Sequence, residues 1–86
     1  MHRFRLEAVP DPQSLPRIVN FFAQRALVPS AVSARTMSGH MRVEIVVAGL
    51  GAEQAAIIAA KLGEVVAILR SGVEAGVALP RLEYAD

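Results

Sequence analysis

The sequence predicts an α+β fold in which four antiparallel strands form one sheet and two helices lie on a single face of it. Two observations support this prediction. The spacing of apolar residues changes from alternation to helical spacing and back, and this change occurs twice, which gives the order strand–helix–strand–strand–helix–strand. The chain has only 86 residues, which suits one small domain of this kind.

The first strand and the first helix are separated by a change of period. Residues 3–9 alternate between apolar and charged side chains, as in a half-buried strand whose apolar residues are Phe4, Leu6 and Ala8. Two prolines then interrupt the alternation around Asp11. From residue 15 onward the apolar residues recur at helical spacing, and this stripe consists of Leu15, Ile18, Val19, Phe22 and Ala26.

Pro16 restricts where this helix can begin. A proline inside a helix costs about 3 kcal/mol, whereas in the first turn its missing N–H is harmless. The N-cap is therefore Gln13 or Ser14, and we favour Ser14 because its hydroxyl can accept a hydrogen bond from a free backbone N–H. The Val-Pro pair at residues 28–29 is expected to end the helix.

The middle of the chain predicts a β-hairpin. Residues 30–37 are small or β-branched, and the proline just before them suits an edge strand. Ser38-Gly39 predicts a tight turn. The next strand covers residues 41–47 and alternates clearly, with its inward side chains being Met41, Val43, Ile45 and Val47.

A second helix and a fourth strand complete the predicted domain. The helix covers residues 52–62 and ends at Gly63, which can cap it. The β-branched run over residues 65–71 predicts the last strand. The predicted domain therefore spans residues 1–71, and residues 72–86 are expected to form a C-terminal tail.

The handedness of the two crossovers orders the strands. Right-handed connections place the first and third strands at the centre of the sheet and the other two at its edges, which is the ferredoxin-like βαββαβ arrangement. The helix-free face of the central strands then carries five charged residues, Arg3, Arg5, Glu7, Arg42 and Glu44. Opposite charges on neighbouring strands can pair there. A charged face favours dimerisation through an edge strand or a helix rather than through stacking of two sheets.

Composition limits the classes of partner. The formal net charge is +1, which argues against nucleic acid or an anionic membrane as a partner. Cysteine is absent, and no apolar run approaches the length of about 18 residues that a membrane span needs. We therefore expect a cytoplasmic protein. Because 53% of the residues are hydrophobic, part of the surface of so small a domain is expected to be buried against another chain.

The sequence contains no pattern typical of a catalytic, metal or cofactor site. His2 and His40 are expected to be solvated loop histidines, and the carboxylates are too scattered for an acid–base pair. The Gly-Leu-Gly at residues 49–51 lacks the third glycine of a dinucleotide loop. RNA binding is also disfavoured, since the central strands show no exposed aromatic residue and Phe4 faces the core. The chain is therefore predicted not to be an enzyme and to need no cofactor.

The loop before the first helix is the best candidate for a ligand site. A helix N-terminus offers free N–H groups and partial positive charge, which suit a carboxylate. On the residues alone, however, the favoured interpretation is that Asp11 and Ser14 only cap their own helix.

At this loop the chain resembles the ACT domain, a small regulatory module with the same order of elements. The usual ACT pattern is Pro-Gly-x-Leu-x-Arg-Ile, and residues 12–18 are Pro-Gln-Ser-Leu-Pro-Arg-Ile. Within that family the chain is most similar to the short regulatory subunits of acetolactate (acetohydroxyacid) synthase. Their Asn-Pro-x-Thr-Leu-x-Arg loop resembles residues 11–17, which are Asp-Pro-Gln-Ser-Leu-Pro-Arg.

The resemblance implies a non-catalytic partner of a larger thiamine-diphosphate synthase in branched-chain amino-acid biosynthesis. It implies a homodimer formed through the edge strand and the first helix, with an amino-acid effector at the seam. The implied ligand-binding residues are Asp11, Pro12, Gln13, Ser14, Leu15, Ala31 and Val32. The alternatives are a stand-alone amino-acid sensor acting on another enzyme or a transporter and, with less support, a small enzyme of ferredoxin-like fold.

One residue departs from the ACT pattern. Gln13 occupies the position of the glycine that lets a ligand approach the loop backbone, and a side chain there can block that approach. We therefore expect amino-acid feedback to be weak or absent while subunit assembly is retained.

Overall fold

A computed structural model describes residues 1–76 of the chain. Residues 77–86, which are most of the predicted tail, lie outside the described part. The elements follow the predicted order, and their bounds are β1 (His2–Ala8), α1 (Ser14–Gln24), β2 (Ala31–Met37), β3 (His40–Val47), α2 (Ala52–Leu62) and β4 (Ile68–Glu74).

The four strands form one antiparallel sheet in the order β2-β3-β1-β4. The prediction that the first and third strands lie at the centre is therefore confirmed, as is the ferredoxin-like α+β fold. The turn between β2 and β3 consists of Ser38 and Gly39, as predicted. Gly39 has a φ of 85°, a left-handed conformation that glycine adopts without steric cost.

The hydrophobic core lies between the sheet and the two helices. One cluster of buried side chains joins both helices to the inward residues of β1 and β3. Phe22 of α1 is fully buried, and its ring packs edge-to-face against Phe4 of β1 with 5.4 Å between ring centroids. Leu62 of α2 is also fully buried, so both helices cover the same face of the sheet.

Helix α1 turns a slightly different face inward from the one predicted. Its buried residues are Ser14, Ile18, Phe21 and Phe22. Val19, which was placed on the buried stripe, is 39% exposed, and Ala26 lies beyond the end of the helix and is exposed. The apolar stripe is thus wider than the area that the sheet covers, and its outer edge stays at the surface.

The end of α1 was predicted too late in the chain, at residues 28–29. The helix ends at Gln24, because Ala26 takes a left-handed conformation with a φ of 57°. The Leu27 N–H then donates to the Phe22 carbonyl at 3.0 Å, and the Ala26 N–H donates to the Ala23 carbonyl at 3.0 Å. These two bonds form a Schellman motif, which satisfies carbonyl groups left free at the helix end.

The fourth strand begins and ends three residues later than predicted, at Ile68–Glu74 instead of residues 65–71. Residues 65–68 form a turn that is closed by a 3.0 Å hydrogen bond from the Ile68 N–H to the Val65 carbonyl. Val65 packs against the core from within this turn. Tertiary packing therefore overrides the β propensity of the Val-Val pair at residues 65–66. At its other end β4 includes residues 72–74, which were predicted to belong to the tail.

Candidate functional site

The loop between β1 and α1 is held by hydrogen bonds to Asp11. Its Oδ1 accepts a hydrogen bond from the Gln13 N–H at 2.8 Å, and its carbonyl accepts one from the Ser14 N–H at 3.0 Å. The Asp11 N–H in turn donates to the Val9 carbonyl at 2.8 Å. Aspartate commonly folds its own loop in this way, so Asp11 fixes the direction in which α1 leaves the sheet.

Ser14 is not the N-cap that we favoured. It is the first helical residue, the N-cap is Gln13, and the Gln13 side chain makes no capping hydrogen bond. The Ser14 hydroxyl donates instead to the Val9 carbonyl at 2.6 Å and is buried. Ser14 therefore ties the start of the helix to the end of β1. Pro16 lies in the first turn, as predicted.

A turn on the far side of this loop completes a small depression. The Val9 N–H donates to the Ala67 carbonyl at 2.8 Å, which joins the loop to the turn before β4. Ala67 has a φ of 90°, which is a strained conformation for a residue with a Cβ. Strain of this kind is often found at binding sites. The depression has a volume of about 260 Å³, and its lining is Val9, Asp11, Gln13, Ser14, Arg17, Val66 and Ala67.

Only part of the predicted ligand site comes together in one chain. Asp11, Gln13 and Ser14 line the depression, whereas Pro12 is exposed beside it and Leu15 packs partly against the core. The remaining two predicted residues, Ala31 and Val32, lie elsewhere.

Ala31 and Val32 lie at the opposite end of the sheet and on its far edge. Ala31 pairs with Val46, next to the beginning of β1, whereas the loop follows the end of β1. They also belong to β2, while the turn at residues 65–68 precedes β4, the other edge strand. A site that included both groups would need two copies of the chain.

Sequence reasoning missed the turn that faces the loop. Val66 and Ala67 lie in the segment that was predicted to be a strand, and alanine is not a residue that predicts a left-handed turn. Arg17 was not among the predicted ligand-binding residues, yet it brings a guanidinium group into the lining of the depression.

The helix-free face of the sheet, which we call the open face, carries a network of ion pairs. Arg3 and Arg5 each approach both Glu44 and Glu74, at N–O distances of 3.1–3.9 Å. The predicted pairing of opposite charges between β1 and β3 is therefore confirmed, and β4 also contributes to it through Glu74. Because these side chains are partly exposed, each pair contributes little to stability.

The two histidines are more buried than predicted, although His40 does lie next to the turn at residues 38–39. His2 belongs to β1, its side chain points inward like that of Phe4, and it is 9% exposed rather than solvated. It is buried because β1 begins one residue earlier than predicted and pairs His2 with Val47. His40 begins β3 at the other end of the sheet and is half-buried. Within residues 1–76, no three metal-ligating side chains come together.

Comparison with known proteins gives a family match. A model described as an ACT-like domain matches residues 1–78, a range that includes all six elements and the loop before α1. No curated protein matches the chain. Neither helix in the described part of the chain is long and apolar enough to cross a membrane.

Proposed function

The chain belongs to the ACT-like family, and on that premise we propose that it is the non-catalytic regulatory subunit of a larger enzyme. Members of this family are small regulatory, ligand-sensing domains. The enzyme that we propose is a thiamine-diphosphate-dependent acetolactate synthase of branched-chain amino-acid biosynthesis. The observation that carries this choice is the loop over residues 11–17, whose sequence is similar to that of the short regulatory subunits of that enzyme.

The proposed mechanism is a shift between conformations of the catalytic subunit. A regulatory domain activates an enzyme if it binds the active conformation more tightly than the inactive one, and the ratio of the two affinities limits the activation. No group of this chain then needs to touch the substrate.

We propose that the chain binds an amino-acid effector weakly or not at all. A carboxylate at a helix N-terminus needs free N–H groups. Here the N–H groups of Gln13 and Ser14 already donate to Asp11, and Pro16 has no N–H. The first turn of α1 therefore offers few donors, and the Gln13 side chain adds a steric obstacle where the ACT pattern has glycine.

We also propose a homodimer formed through β2 and α1. Strand β2 is an edge strand with five exposed residues, one of which is Val32, and Val19 of α1 is an exposed apolar residue as well. Antiparallel pairing of two β2 edges would place the start of one β2 beside the end of the other. The loop before α1 lies level with the end of β2. The dimer would therefore bring Ala31 and Val32 of one copy to the side of the sheet where the loop of the other copy lies.

The dimer is tested by sedimentation equilibrium of Val32→Glu against a matched control. Leu69→Glu is the control, because Leu69 is equally apolar and also exposed but lies on the other edge strand. We expect Val32→Glu to sediment as a monomer and Leu69→Glu to remain dimeric, since only the former places a charge in the proposed interface. A monomeric wild-type chain would contradict the proposal.

The proposed function is tested by the turnover of the purified acetolactate synthase large subunit from the same organism. We expect turnover to rise as the chain is added and to saturate near an equimolar ratio. Turnover that does not change at any ratio, although the large subunit is active, would overturn the assignment and favour a stand-alone sensor.

Amino-acid binding is tested by calorimetric titration with valine, leucine and isoleucine. We expect dissociation constants weaker than about 1 mM, which corresponds to about 4 kcal/mol of binding free energy. The Gln13→Gly variant restores the glycine of the ACT pattern and should bind more tightly than the wild type. Low-micromolar binding by the wild type would refute the expectation of weak feedback.

A further inference from the structure

Four charged side chains form a row across the open face, beside the ion-pair network of Arg3 and Arg5. The strand registers place Arg35 opposite Arg42, Arg42 opposite Glu7, and Glu7 opposite Arg70. We call these four residues the arginine row. It crosses all four strands, which are about 4.8 Å apart, so it is about 14 Å long.

In the described part of the chain, the arginines of the row differ from Arg3 and Arg5 in having no carboxylate partner. Within residues 1–76, the ion pairs of the sheet all involve Arg3 or Arg5, and none involves Arg35, Arg42 or Arg70. These three side chains are exposed. The row therefore has three positive charges and one negative charge, and none of the four side chains forms an ion pair with another described residue.

The position of Arg35 directly opposite Arg42 is unfavourable for the isolated chain. Like charges at directly opposed positions of an antiparallel pair destabilise the sheet. An anionic group bound between the two guanidinium groups would remove this repulsion and could accept hydrogen bonds from both. The juxtaposition of Arg35 and Arg42 is therefore more favourable when an anionic group is bound between them than in the free chain.

The order of charges in the row indicates what kind of partner fits. From β2 to β4 the signs are positive, positive, negative and positive, because Glu7 lies between Arg42 and Arg70. A nucleic acid or a polyphosphate carries only negative charge, so it would pair with the arginines but place like charge against Glu7. A second open face would be repelled as well, since this face carries more arginines than glutamates. A protein surface can present both signs in the required order.

We propose that the arginine row binds a predominantly acidic surface of a partner protein, with carboxylates opposite the arginines and a basic side chain opposite Glu7. A depression of about 370 Å³ beside the row gives such side chains room, because Gly72 has no side chain on this face. The inference rests on the proposed function for the identity of the partner, which is the synthase large subunit.

The test measures the affinity of charge-reversed chains for the large subunit by calorimetry. Arg42→Glu and Arg70→Glu should each weaken binding about tenfold at low salt. The matched control is Lys61→Glu, which makes the same change in net charge at an exposed position of α2, and its affinity should equal that of the wild type. Equal affinity for all of these chains would overturn the inference and leave the proposed function intact.

Glu7→Gln separates a protein partner from a purely anionic ligand. The variant removes the carboxylate that would pair with the partner's basic side chain, and this loss should weaken binding of the large subunit about two- to threefold. If Glu7→Gln instead tightens this binding, the row recognises negative charge alone and the proposed mixed-charge surface is wrong.

A second probe decides the inference if the wild-type chain does not bind the large subunit, an outcome that contradicts the proposed function only. The probe is a synthetic peptide that repeats Glu-Glu-Lys-Glu, the charge order complementary to the row, and the readout is the change in backbone amide NMR shifts. We expect shifts concentrated at Arg35, Arg42 and Arg70 that disappear in Arg42→Glu. The inference would be overturned if the peptide caused no shifts, scattered shifts, or shifts that are the same in Arg42→Glu. It would also be overturned if only inorganic tripolyphosphate caused shifts concentrated at the three arginines.

Discussion

The two faces of the sheet are built from alternate residues of the same strands, and they have opposite roles. On the face covered by the helices, the inward residues of β1 and β3 such as Phe4, Val43 and Ile45 are fully buried. On the open face, charged side chains lie between them and remain partly exposed. The covered face therefore supplies most of the free energy of folding, since apolar burial dominates that term.

This difference explains how so small a domain can be both stable and free to recognise a partner. Side chains of the open face contribute little to folding because their ion pairs are solvated. They can therefore be specialised for recognition without loss of the fold. Substitutions on the two faces should accordingly have effects of very different size.

The largest effect is expected for Phe22→Ala on the covered face. Phe22 is fully buried and packs edge-to-face against both Phe4 and Phe21. Truncation removes these contacts and leaves a cavity, which should lower the free energy of unfolding by about 3–5 kcal/mol. Urea denaturation followed by circular dichroism measures this loss. A loss below about 1 kcal/mol would mean that the core is not packed as described.

A smaller effect is expected for Ser71→Ala, which also lies on the covered face. The Ser71 hydroxyl donates to the Ala59 carbonyl at 2.8 Å and so links β4 to the end of α2. Loss of this bond should lower the free energy of unfolding by about 1 kcal/mol. Ser33→Ala is the control, because Ser33 is exposed on the open face, and it should change stability by less than about 0.5 kcal/mol. If the two variants lost the same free energy of unfolding, the proposed difference between the two faces would be contradicted.

The smallest effect is expected for Glu44→Gln on the open face. Glu44 approaches Arg3 at 3.9 Å and Arg5 at 3.7 Å, and all three side chains are partly exposed. Solvent weakens these pairs, so the loss should be below about 1 kcal/mol and should shrink further in concentrated salt. Denaturation curves at two salt concentrations test this, with the exposed Glu64→Gln as control. A large loss that does not depend on salt would show that the ion pairs hold the fold.

Alternation and helical spacing were enough to predict the architecture. Changes of apolar spacing mark β1, β3 and the two helices, small and β-branched residues mark β2 and β4, and the handedness of the crossovers ordered the strands correctly. The boundaries were less predictable where an alanine adopts a left-handed conformation. Ala26 ends α1 early and Ala67 delays β4, and neither residue is of a type that announces such a turn.

The candidate site was predicted only in part, for a related reason. The loop at residues 11–15 could be found because prolines, Asp11 and Ser14 mark a helix start. The turn with Ala67 lies next to this loop only because β1 and β4 pair in the sheet, and the two segments are far apart in the sequence. The arginine row likewise depends on the strand registers, which join residues from all four strands and which no single segment of sequence contains.

The proposal that this ACT-like chain works by binding a larger enzyme is tested most directly by sedimentation velocity. The chain is mixed with the purified acetolactate synthase large subunit at low ionic strength and followed by absorbance. We predict that the chain sediments with the large subunit as one faster species. Separate boundaries, each at the rate of the protein alone, would contradict the proposal.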